Sequence, residues 1–282
     1  VACAATASFT SRAHATPLGL PLGLQLYSVR EQLPKDYEGT LHQLAAIGYK
    51  EVEAAGFYDH DAAQVNAAMK AAGLHCVSAH YGYDALQPKL DEIIEFGNKI
   101  GLKYLICSYP GHKTPAGAGH RGTFTLDDWR WNADQFNQFG EKVKASGITF
   151  GYHNHTMEFV KQDGVVPYDE LLKLTDPAKV TMEMDLGWVT VGGANPIDYL
   201  RKYPNRFSML HVKDFKSLPV NGSEAKPPVA AELGQGVIDY GPIFAAANPA
   251  AIKHIFVEQE QFDVPPMESL KIDAAYMQKF TA

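Results

Sequence analysis

Apolar residues along the chain follow two alternating rhythms. Leu41, Leu44 and Ala45, like Ile93, Ile94, Gly97 and Ile100, recur at helical spacing and turn one apolar stripe toward a neighbour. Short continuous apolar runs follow them, the pattern of strands covered on both faces. Four junctions between the two repeat one phrase: "LAAIGYKEVEA", "MKAAGLHCVSA", "GNKIGLKYLIC" and "VKASGITFGYH". Gly48, Gly73, Gly101 and Gly147 each fit the position just past a helix end, where a left-handed backbone costs glycine least.

Extended over the chain, the pattern predicts strands near 22–29, 49–54, 75–80, 104–108, 149–153, 180–185, 207–212 and 252–258. Helices are predicted near 36–47, 61–72, 87–100, 125–146, 168–175, 196–203, 239–247 and 267–280. Alternating strands and helices imply parallel pairing with right-handed crossovers, and eight such units in about 250 residues suit a closed (β/α)8 barrel. An open doubly wound sheet would carry a glycine fingerprint after the first strand, and "GLQLYSVREQL" has none. No linker divides residues 18–282, which read as one α/β domain. "KSLPVNGSEAKPPVAAELGQG", 216–236, follows a strand and reads as a long loop over the active face.

Composition narrows the partners. With 46% hydrophobic and 20% charged residues the chain is an ordinary globular one. A net charge of −7 and scattered lysines disfavour nucleic acid, which needs a concentrated basic surface. No apolar run is long enough to span a membrane. Cys3, Cys76 and Cys107 are too dispersed for a disulfide framework or a thiolate metal site. Residues 1–17, "VACAATASFTSRAHATP", are small, polar and free of acidic groups, like the remainder of an export signal and spacer. Export to an envelope compartment, the periplasm, and a cytoplasmic location are the two expectations.

In such a barrel the carboxyl ends of the strands meet in one mouth. Those ends carry Tyr27 and Arg30, Glu53, His80, then His153, His155 and Glu158 from "GYHNHTMEF", and Glu183 and Asp185 from "TMEMDLGW". His211, Lys213 and Asp214 follow in "MLHVKDF", and Glu258 and Glu260 in "HIFVEQEQF". A lone strand-end histidine is more often a satisfied rim residue, and Asp185 before "LGW" would serve as a helix cap. Their joint occurrence changes the balance, because carboxylates and imidazoles at consecutive strand ends need a cation among them. A hard mixed oxygen and nitrogen set suits one divalent ion, Mn, Mg, Co or Zn. The best ligand set is Glu158, Asp185, His211 and Glu258, with His153 or His155 as alternatives to Glu158.

The phrases "GLQLYSVRE", "GYHNHTMEF", "EMDLGWVTVGG", "HVKDF" and "FVEQEQF" make the chain, from about Leu18 onward, resemble the xylose-isomerase-like TIM-barrel family of sugar (phosphate) isomerases and epimerases. The resemblance implies a single divalent ion at the barrel mouth with Glu, Asp, His and Glu ligands, falling on Asp185, His211 and Glu258. At the fifth strand, where isomerases and epimerases of the family carry a glutamate, this chain has His153 and His155, with Glu158 in the following loop. A histidine is therefore the expected proton carrier.

The expected chemistry is removal of a proton beside a carbonyl, with a metal stabilising the resulting enediolate. His155 is the preferred base, His153 its alternate, and Lys213 an acid or anion-steadying group; an ion pair of Lys213 with Glu183 or Glu158 is the competing reading. His80, Glu53, Arg30 and Trp188 are the expected substrate contacts. Returning the proton gives an isomerase or epimerase, and expelling a β-substituent gives a dehydratase or 3-keto-glycoside lyase. A barrel that binds carbohydrate without turnover is the non-catalytic alternative. Phosphodiester hydrolysis, also found on this fold, needs a multinuclear cluster and a basic groove. "GHKTPAGAGHRG" is glycine-rich but opens no helix, so phosphorylated substrates fit less well. The expected partners are small-molecule sugars or keto-glycosides, with a homo-oligomer left open.

Overall fold

A computed structural model describes residues 16–114, 124–219 and 228–280. The export-like segment with Cys3 and His14, most of "GHKTPAGAGHRG" with His120, and the middle of the 216–236 excursion lie outside them.

The strands are β1 Leu22–Gln25, β2 Glu51–Ala54, β3 His75–Gly82, β4 Tyr104–Tyr109, β5 Thr149–His153, β6 Val180–Asp185, β7 Phe207–Val212, β8 Asp214–Phe215, β9 Ala230–Ala231 and β10 His254–Val257. The helices are α1 Tyr37–Ile47, α2 Ala62–Ala72, α3 Tyr83–Ile100, α4 Leu126–Lys144, α5 Pro167–Leu174, α6 Leu186–Val191, α7 Pro196–Lys202, α8 Tyr240–Ala246 and α9 Pro266–Met277. Eight strands close a parallel barrel in the order β1-β10-β7-β6-β5-β4-β3-β2, and β8 pairs antiparallel with β9 outside it. This is the (β/α)8 architecture expected from the alternating pattern.

Local chemistry explains the boundaries. All four junction glycines have positive φ, from 72° to 122°. Side-chain caps start the helices: Asp61 with Gln64 on α2, and Thr125 with Asp128 on α4, form reciprocal capping boxes. The strand expected over 22–29 stops at Gln25, whose side chain accepts the N–H of Tyr27 and starts a 3-10 turn, Leu26–Val29. The helix expected at 87 begins at Tyr83 and bends at Lys89, next to the interior Pro88 that lacks an N–H. Helix α6 was not expected; Asp185 both ends β6 and caps it by accepting the N–H of Trp188. Among the described residues no helix is long and apolar enough to cross a membrane.

Most of the core lies between barrel and helices, and a separate plug of Ile106, Met209 and Phe256 fills the barrel's interior. Gly23 makes room for it, since a Cβ there would stand 2.6 Å from the Phe256 ring. His211 and Glu258 come two residues after Met209 and Phe256, so strand alternation lifts them onto the plug's outer surface. The excursion after β8 is fastened by Asp214, which is fully buried and accepts N–H bonds from Gly234, Gly236, Val237 and Ile238 at 3.0–3.2 Å.

Candidate active site

Strand register assembles the floor of the site. Gln25, Glu53 and Ser78 are neighbours across β1, β2 and β3. Gln25 Nε2 donates to Glu53 Oε1 at 2.7 Å, and the Ser78 hydroxyl donates to Oε2. The carboxylate so fixed meets Nε2 of His80 at 2.8 Å and Nε2 of His211 at 2.6 Å. Opposite it, Glu183 Oε2 lies 2.6 Å from His80 Nε2 and 3.0 Å from Nδ1 of His153, its register partner.

The next layer faces the mouth. Asp185, the register partner of His211, places Oδ2 3.8 Å from His153 Nε2 and 3.0 Å from Lys213 Nζ. Glu258 Oε2 lies 3.0 Å from His211 Nδ1 and 2.7 Å from Lys213 Nζ, which also reaches Glu260 at 2.7 Å. Asn154 locks Asp185 in place, accepting its N–H at 3.1 Å and donating to its carbonyl at 3.3 Å.

These pairings set the charges. Burial pulls the His80 imidazole down, but Glu53 and Glu183 outweigh it and push the group up to about 9. His211 is raised well above its ordinary value by the same carboxylates against the same burial penalty. His153 is driven well below the usual range by burial and by the neighbouring charge of His211. Burial and the Lys213 ammonium lower His155 to about 3. Burial works against the charge on Lys213, yet Asp185, Glu258 and Glu260 hold it well above its ordinary value. Burial raises Asp185 to about 6 against the pull of Lys213 and His211.

The donor set fits a divalent cation. Ligand atoms of His153, Asp185, His211 and Glu258 all lie within 4.8 Å of one another, as do those of His80, His153, Glu183 and His211. Asp185 Oδ2 and Glu183 Oε1 are buried without a hydrogen bond and are met by the charged neighbours Lys213 and His211, at 3.0 and 3.4 Å. Glu53 occupies Nε2 of His211 and leaves Nδ1 toward Glu258, the arrangement in which a carboxylate orients a metal-binding imidazole.

The sequence-derived candidates separate into groups. Asp185, His211, Glu258 and His153 converge, with Lys213 beside them. Glu158, expected as a ligand, belongs to neither grouping: it sits in a 3-10 turn past β5, fully buried, bonded to the Tyr152 hydroxyl and the N–H of His155. Burial raises its pKa to about 7. Glu53, expected at the substrate, is fully buried and meets the imidazoles of His80 and His211. A cavity of about 390 Å³ opens over the cluster, with Tyr27, His80, His153, His155, Glu258 and Glu260 in its wall. Arg30 stacks on Tyr27 at 4.3 Å and donates to the Glu260 carbonyl, outside that wall. Trp188 stands 6.4 Å, ring to ring, from His155.

Gln25, Ser78 and Asn154 escaped the sequence reading, Glu260 was enumerated without a role, and Glu183 was expected only as an ion-pair partner of Lys213, which pairs instead with Asp185, Glu258 and Glu260. Strand period could have found Glu183, two residues before Asp185 on one face. A larger cleft of about 510 Å³ lies at the opposite end of the barrel, against His75 and Glu51 where β3 and β2 begin. Among the described residues neither candidate ligand cluster lines it.

A profile of the family described as xylose isomerase-like TIM barrel matches residues 41–280. The chain is 26% identical over 249 residues to an inosose dehydratase of Clostridium beijerinckii, covering 80% of this chain and 82% of that protein. Among solved structures, a sugar phosphate isomerase/epimerase of Parabacteroides distasonis is 30% identical with a TM-score of 0.72, covering 91% of this chain and 97% of that one. Another from the same organism is 26% identical with a TM-score of 0.73, covering 92% and 96%.

Proposed function

Because the chain belongs to the xylose isomerase-like TIM barrel family, we propose that it removes the proton beside the carbonyl of a sugar or cyclic polyol ketone, using one divalent cation held by His153, Asp185, His211 and Glu258. The observation that carries the reading is the convergence of those four buried side chains, whose ligand atoms all lie within 4.8 Å of one another. The mixed set suits Mn, Mg, Co or Zn. When bound, such a cation supplies Lewis-acid stabilisation of the negative charge that proton removal puts on the substrate's oxygens.

The remaining chemistry belongs to side chains. His155 lines the cavity and is the group placed to accept the proton; burial and the Lys213 ammonium lower its pKa to about 3, which leaves it unprotonated at neutral pH and makes it a weak base. Lys213, charged among three carboxylates, is the cation placed to steady the anionic oxygen or donate a proton to it. Glu53 and Glu183 hold His80, His153 and His211 in orientation.

An empty base beside a loaded acid suits elimination, in which Lys213 protonates the departing oxygen. The curated relatives named inosose dehydratases support that outcome. Isomerase or epimerase chemistry is the second reading, favoured by the 30% identical sugar phosphate isomerase/epimerase of Parabacteroides distasonis. Metal analysis followed by incubation with keto-sugars and an inosose in D₂O tests both. Deuterium gain without loss of mass as water marks isomerisation, water loss marks dehydration, and binding with neither would overturn the catalytic reading.

A further inference from the structure

Beside the cavity over the cluster lies a second hollow of about 200 Å³, and the two share Glu258 and Glu260 in their walls. Trp188, Phe215, Pro228 and Ala230 give this second lobe apolar walls, with the amide of Gln261 at its rim. The Trp188 ring stands 5.1 Å from Phe215 and 6.4 Å from the His155 ring. Lys213 Nζ lies 4.7 Å from the indole centre and lines the lobe where it meets the catalytic carboxylates.

We propose that the second lobe is a subsite for an aromatic group joined through oxygen to the sugar in the first lobe, which makes the substrate an aryl keto-glycoside. This deepens the proposed function and rests on it. An aromatic ring finds two aromatic partners in the lobe, Trp188 and Phe215, flanked by Pro228 and Ala230, while its polar lining is Lys213, Glu258, Glu260 and Gln261. The walls are also preformed: Phe215 and Ala230 are register partners in the β8-β9 ladder, which Asp214 fastens. The C–H bond beside the ketone breaks and its proton goes to His155. The electron pair left behind forms a carbon–carbon double bond as the adjacent C–O bond breaks. The oxygen departs with that bond's pair and takes a proton from Lys213 Nζ, giving a hydroxyarene and an unsaturated keto-sugar.

Phenyl β-D-glucopyranoside and methyl β-D-glucopyranoside, which lack the ketone and are not turned over, isolate the subsite. Titration calorimetry on the full chain is expected to show phenyl binding tighter by about ten-fold or more. Ala230→Phe fills the lobe and is expected to erase the preference; Pro228→Phe, at a half-buried position in its wall, is expected to do the same and decides the matter if the first variant misfolds. Equal affinities in the unaltered protein, or a preference that survives both folded variants, would overturn the subsite. Deuterium exchange of a free 3-keto-hexose is measured alongside. Exchange without an aryl preference sinks the subsite alone, whereas an aryl preference without exchange sinks the catalytic reading and the elimination step while the binding lobe stands.

Discussion

Lys213 Nζ lies 2.7 Å from Oε2 of Glu258, the same oxygen that His211 Nδ1 meets at 3.0 Å. Two cationic neighbours outweigh burial and hold this carboxyl well below its ordinary pKa, so it is charged whenever a metal is offered. Glu258→Gln keeps the shape and removes the charge. Metal affinity is expected to fall by about 100-fold or more, and activity with it, while circular dichroism stays unchanged. Unchanged metal content after dialysis would remove Glu258 from the ligand set.

His155→Ala separates the base from the cation site. Exchange of the substrate's α-hydrogen with solvent is expected to fall by about 10²–10⁴, with bound metal retained. Exchange at the original rate would pass the role to His153 or Lys213.

Lys213→Met removes the ammonium that pairs with Asp185, Glu258 and Glu260. Breaking a buried ion pair from one side costs about 3–5 kcal/mol, so the metal-free variant is expected to melt well below the unaltered protein. Added metal then supplies the missing positive charge, and calorimetry is expected to show a larger rise in Tm for the variant. An equal rise in both proteins would mean that lysine and metal do not answer to the same carboxylates.

The barrel was legible because its signals are local: helical spacing, short apolar runs and four glycines at helix ends. Asp185, His211 and Glu258 were legible because strand period fixes which way a side chain near a strand end points. Glu158 was not, since it lies in a turn five residues past His153, where no period applies and the Tyr152 hydroxyl captured its carboxylate. The contact of Glu53 with His211 was not legible, because it depends on barrel closure, which joins β2 to β7 by way of β1 and β10. The same holds for Asn154, whose work is done on the next strand.

Asp273 on α9 supplies a pH dependence remote from the site. Its Oδ1 accepts the Leu233 N–H at 2.7 Å, while Oδ2 is buried without a partner. Burial, helped by Glu232 and Asp214, lifts the carboxyl from its ordinary 3.8 to about 7. The unfolded chain therefore ionises first: this contribution to stability is full below about pH 4, declines as pH rises, and is gone above about pH 7. Asp273→Asn is expected to flatten that decline and to raise Tm at pH 8 by roughly 5 °C, with little change at pH 4. Parallel melts of the two proteins across this range check it, and curves that stay parallel would refute the assignment.

Asp214 ties both shores of the excursion to one carboxylate, gripping the turn from Gly234 to Ile238 while its own strand pairs with Ala230–Ala231. Once the ends of a segment are anchored, lengthening it costs little entropy, about 0.6 kcal/mol for each doubling. The barrel thus has a place where inserts of different size and character can be exchanged by evolution or by an engineer. New preferences for the group next to the sugar can arise there without retuning the residues that move protons.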